Sequence, residues 1–116
     1  MQFKLLLALT EDAKVEPILK AARQAGATGA TVITSARGEG LKPEKTFLGL
    51  ELTRHRDIVM MVVEEHLSRS ILEAVAEAGQ FDGEPGSGIA FQVDIEDAIG
   101  LTSQITALSK RVGEEL

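Results

Sequence analysis

The stretch "IVMMVV", residues Ile58–Val63, is apolar at six consecutive positions. A strand with one wet face alternates apolar and polar side chains, whereas an unbroken β-branched run reads as a strand covered on both faces. Downstream, Leu67, Ile71, Leu72, Val75 and Ala78 keep helical spacing, and Gly79 closes the pattern. Upstream lies "RGEGLKPEKTFLGLELTRHRD", Arg37–Asp57, rich in charge and glycine without sustained periodicity. It reads as a long exposed loop over about residues 38–56, with strand extensions at its ends. A loop of this length in a compact domain usually carries function.

Working outward, Gln2–Leu9 and the β-branched run Ala30–Ala36 read as strands. Between them Val15, Ile18, Leu19 and Ala22 mark a helix that starts close to Pro17, with Thr10 as its cap and Gly26 just past its end. After the second helix, the turn-rich "QFDGEPGSG" leads into a fourth strand, Ile89–Val93. Leu101, Ile105, Leu108 and Val112 give a C-terminal amphipathic helix. The β-α-β-β-α-β order predicts an α+β, ferredoxin-like fold: an antiparallel sheet with both helices on one face. The apolar run on the third strand then leaves a bare face needing a cover, from further copies of the chain or from the C-terminal helix.

The totals narrow the function. With 116 residues, one domain over 1–116 is expected. A net charge of -6, no Tyr and no Trp argue against nucleic-acid binding. The absence of cysteine excludes disulfides and thiolate metal sites. No apolar run reaches membrane-spanning length, and the N-terminus lacks a signal-peptide pattern, so a cytoplasmic protein is expected. His55 and His66 have no metalloprotease spacing, no serine sits in a nucleophile-elbow context, and no calcium-loop pattern occurs. The expectation is therefore a non-enzyme with no metal and no catalytic residue.

Two glycine motifs remain. "RGEG", Arg37–Gly40, follows the second strand, and "GSG", Gly86–Gly88, precedes the fourth. Glycine permits close backbone approach, and successive N–H groups can form an anion-binding nest; a plain turn is the competing reading of each. Taken in order, "GATGATVITSARGEG" (26–40), the long loop before "DIVMMVVEE", and "GSGIAFQVDI" (86–95) resemble the PII signalling family and its PII-like relatives over most of the chain.

The resemblance implies a homotrimer that holds an adenine nucleotide (AMP, ADP, ATP or cyclic AMP) in each cleft between subunits. It also implies a mobile loop, the T-loop, that docks on a partner such as a membrane transporter or an enzyme, which would recruit the protein to the inner face of the membrane. By position, Thr31, Gly38 and Gly40 match the adenine side and the T-loop base, and Val62 matches a main-chain contact near the adenine. Gly86, Ser87 and Gly88 match the phosphate-facing B-loop. Arg37 is an unmatched phosphate partner.

Several positions depart from the family. Ser87 replaces its Asp, Ile89 its phosphate-binding Lys, and "IEDAIGL" the basic pair after the fourth strand. The long loop has no Tyr to uridylylate, and Leu41 and Lys42 stand where a Gln would position magnesium and 2-oxoglutarate. These changes point to a nucleotide of low phosphate count or a cyclic one, since cations offset phosphate charge. A small ferredoxin-like enzyme and a ligand-free trimer related to the divalent-cation-tolerance proteins are the alternatives.

Overall fold

The computed structural model describes residues 2–37, 46–47, 50–51 and 55–101. Strand β1 (Phe3–Thr10) leads through a 3-10 turn (Asp12–Lys14) into helix α1 (Val15–Gln24). Strand β2 (Thr31–Arg37) follows, then the two-residue strands β3 (Thr46–Phe47) and β4 (Leu50–Glu51), which pair with each other. Strand β5 (His55–Glu64), helix α2 (Glu65–Gly79) and strand β6 (Gly88–Asp94) complete the described chain. The main sheet is antiparallel throughout, in the order β2-β5-β1-β6. This is the expected ferredoxin-like arrangement. The expected C-terminal helix lies outside the described residues apart from Leu101.

One face of the sheet carries both helices. Leu6, Ala8, Val59, Met61 and Val63 from the strands meet Ile18 and Ala22 of α1 and Ile71 and Val75 of α2 in a single buried core. The apolar run therefore splits by parity, as side chains alternate across a sheet. Val59, Met61 and Val63 are sealed by the helices, while Ile58, Met60 and Val62 face the other way. There Val62 is 40% exposed, alongside Ile33, Phe91 and Val93 at similar values. The strand register aligns this face: Leu5 lies opposite both Val62 and Val93, and Leu7 opposite Met60 and Phe91.

Local differences from the expectations have physical causes. Thr10 does not cap α1: it is the last residue of β1, fully buried, and Glu11 precedes the 3-10 turn instead. Gly79 does not supply the left-handed residue that ends α2. That residue is Gln80, at φ 58. Gly79 is needed because a Cβ there would overlap the Phe81 ring, so the glycine clears packing space rather than a backbone angle. The long loop ends earlier than expected, because His55 and Arg56 already belong to β5, opposite Arg37 and Ala36. Gly26 does sit just past α1, at φ 117.

Candidate functional site

The loop between α2 and β6 is built by hydrogen bonds that begin at the helix end. Gln80 donates its N–H to the Glu77 carbonyl and Phe81 to that of Ala76, the paired bonds of a Schellman stop. Lys14 reaches across from the 3-10 turn, donating to the Gly79 carbonyl at 2.9 Å and pairing with Glu84 at 2.9 Å. Glu84 and Ser87 then continue the chain of bonds, with Ser87 N–H donating to the Glu84 carbonyl. The Ser87 hydroxyl donates to the Gln80 carbonyl at 2.9 Å, and the residue is buried. Ser87 thus directs its hydroxyl and its N–H inward and fixes the loop's shape.

The flanking glycines have separate reasons. Gly86 has φ 76, in the region that favours glycine. Gly88 opens β6 opposite Thr10, and a Cβ there would overlap both the Leu9 carbonyl and the Phe81 ring. The Phe81 ring is therefore held between two glycines, 79 and 88.

Arg56 stands behind this loop. It is only 3% exposed; its Nη2 donates to the Gly86 carbonyl at 3.1 Å, and its Nη1 lies 3.4 Å from Glu11 Oε1. Its Nε and Nη1 make no hydrogen bond. The sequence reading placed Arg56 at the end of the long exposed loop. Strand parity could not have found it: Arg56 falls with Ile58, Met60 and Val62, the set facing away from the helices, so its burial comes from the glycine loop and Glu11 rather than from the strand pattern.

Asp57, also buried, accepts the Ser35 N–H at 3.1 Å. Ser35 has φ 58 and sits where the β2–β5 register shifts. The Asp57 carboxyl, by hydrogen bonding first and by its negative charge second, with desolvation third, raises the Asp12 pKa above the ordinary aspartate value.

Two of the cavities among the described residues bear on the candidate residues. One of about 620 Å³ lies between α2, the glycine loop and β6, with Leu72, Phe81 and Ile89 among its apolar lining. Glu73, Glu77, Asp82 and Glu84 ring it, and its one arginine, Arg69, is already paired with Glu73 at 2.9 Å. The other, of about 320 Å³, brings together Thr31 and Val62 with Leu5, Gly29 and Met60. Thr31 and Val62 thus line one cavity, while Gly86–Gly88 lie elsewhere. Thr31 is on edge strand β2 and Gly88 on the opposite edge strand β6. With β5 and β1 between them, the two edges are about 14 Å apart at normal strand spacing. Arg37 ends β2; Gly38 and Gly40 lie outside the described residues.

His55 and His66 are both exposed, His66 lying 3.2 Å from Glu64. Among the described residues no three His, Cys, Asp or Glu side chains gather to hold a metal. None of the described helices is long and apolar enough to cross a membrane.

Comparison with known proteins gives a consistent result. The family model for nitrogen regulatory protein P-II matches residues 3–104. No curated protein matches the sequence. Among solved structures, the apo form of CPII from Thiomonas intermedia K12, a nitrogen regulatory PII-like protein, is 23% identical with a TM-score of 0.62. That match covers 82% of this chain and 90% of the other. Arabidopsis thaliana PII bound to citrate is 22% identical with a TM-score of 0.67, covering 88% and 85%.

Proposed function

The chain belongs to the nitrogen regulatory protein P-II family, and from that premise we propose that it is a non-enzymatic regulator that binds a small effector, an adenine nucleotide of low phosphate count, between the subunits of a homotrimer. The segment between β2 and β5, residues 38–54, is its output element, acting on a partner protein such as a membrane transporter. An effector moves such an element only by binding one of its states better than another.

The observation that carries this reading is the separation of the candidate residues onto opposite sheet edges. Thr31 and Val62 are on the β2 side and Gly86–Gly88 on β6. One small molecule touches both sets only when the β6 edge of one subunit approaches the β2 side of another. The bare apolar face, with Ile33, Val62, Phe91 and Val93 exposed, supplies the driving force for that approach. Each such side chain contributes about 2 kcal/mol when it is fully buried.

Charge decides the phosphate count. Ile89 leaves no lysine at the front of the loop, and the adjoining cavity is ringed by four carboxylates. Among the described residues Arg56 contacts the glycine loop at the Gly86 carbonyl and is partly offset by Glu11. One screened guanidinium suits one or two phosphates and leaves a triphosphate under-compensated. Arabidopsis thaliana PII, a structural neighbour, was solved bound to citrate, a small anion, which supports this reading.

Isothermal titration with AMP, ADP, ATP and cyclic AMP tests the reading. The expected outcome is binding of AMP, ADP or cyclic AMP in preference to ATP, and its weakening by Thr31→Ala without loss of thermal stability. Absence of heat with all four, or tightest binding of ATP, contradicts it.

A further inference from the structure

The cavity of about 620 Å³ is a groove walled by α2, the loop 80–84 and the start of β6. Its α2 wall runs from Arg69 to Gln80, three turns of helix or about 16 Å. Leu72 and Ala76, one turn apart, give that wall an apolar stripe, and both are only half-buried. Phe81, also half-buried, adds an aromatic surface beside them. Ala90, on the β6 side of the groove, lies opposite the core residue Ala8. The groove is therefore on the helix side of the sheet, away from the bare face.

The rim is acidic. Glu73, Glu77, Asp82 and Glu84 stand against a single arginine, Arg69. Arg69 is paired with Glu73, and Lys14 with Glu84. Glu77 and Asp82 are exposed and form no ion pair among the described residues. Two unanswered carboxylates beside an apolar stripe suit an occupant that is apolar on one side and cationic at its edge.

Charge separates the possible occupants. A second copy of the chain carries a net charge of -6 and is repelled. The chain's own residues 102–116 hold Lys110 and Arg111 but also Glu114 and Glu115, so they bring no excess of positive charge. A basic segment of another protein meets both requirements. We propose that the groove between α2 and β6 docks a basic amphipathic helix of a partner protein. Its apolar side lies on Leu72, Ala76 and Phe81, and its lysines or arginines face Glu77 and Asp82. The inference rests on neither the effector site nor the trimer.

The test titrates the isotope-labelled full chain, without nucleotide, with a helical peptide of leucine and lysine about 18 residues long. Amide shifts are followed by NMR. The expected result is saturable shifts at Leu72, Ala76, Glu77, Phe81 and Asp82. Glu77→Lys/Asp82→Lys weakens binding roughly tenfold or more, because attraction becomes repulsion at both positions. Glu96→Lys/Asp97→Lys makes the same change of net charge beyond the far end of β6 and leaves the affinity unchanged. All four positions are exposed, and circular dichroism checks that each variant is folded. Absence of binding, shifts centred on the bare face or spread over the surface, equal weakening by the two double variants, or equal binding of a leucine–glutamate peptide overturns the proposal. Failure of nucleotide binding would leave this response intact, so the two readings fail separately.

Discussion

At Gly88 packing alone requires glycine, whether or not a ligand approaches it. Its lack of a Cβ is required by the Leu9 carbonyl and the Phe81 ring. Gly88→Ala is expected to cost about 1–3 kcal/mol through overpacking and to lower the melting temperature by several degrees. Thermal denaturation checks this; an unchanged melting temperature would mean that strand and ring relax freely. For the same reason bulky replacements at Gly86 or Gly88 are poor probes of binding, because they damage the fold first. Arg56→Met keeps the apolar stem, removes the guanidinium and strands the Gly86 carbonyl. A loss of about 1–3 kcal/mol is expected, typical of a buried group left without its partner. Denaturant unfolding measures it, and a loss below that range would show Arg56 to be a bystander.

At the scale of elements, the junction of α2 with the glycine loop is held from outside the helix. Lys14 caps the Gly79 carbonyl and pairs with Glu84, so Lys14→Met should lower stability by about 1 kcal/mol. The loss should shrink in high salt, because the Glu84 end of the pair is half exposed. A salt-independent loss would assign the effect to packing of the stem. The elements themselves were legible in the sequence because their patterns are local. The unbroken run Ile58–Val63 announces a strand, and the spacing of Leu67, Ile71 and Val75 announces the helix after it. What was not legible depends on partners distant in sequence. Arg56 reads as a solvated loop cation until Gly86, thirty positions away, is seen to accept its hydrogen bond. Asp57 reads as a loop acid until the bulge at Ser35 is seen against it. Ser87 reads only as the middle of a Gly-Ser-Gly motif, and the Gln80 carbonyl that accepts its hydroxyl shows where the side chain goes.

Across the whole molecule, one sheet face is closed by helices and, among the described residues, the other exposes Ile33, Val62, Phe91 and Val93. Placing a charge at its exposed β6 edge, as in Phe91→Asp, should leave the helix-side core intact and yield a folded monomer. Light scattering with circular dichroism checks this; a trimer that survives the substitution would mean that assembly uses a different surface. The proposed effector site depends on that assembly, because Thr31 and Gly88 lie on opposite edges of one sheet. The most direct measurement is therefore an ADP titration of the wild type beside the folded Phe91→Asp monomer. The prediction is saturable binding of one ADP per subunit to the wild type and none to the monomer. Equal affinity in both, or no binding to the wild type, would contradict an effector site shared between subunits.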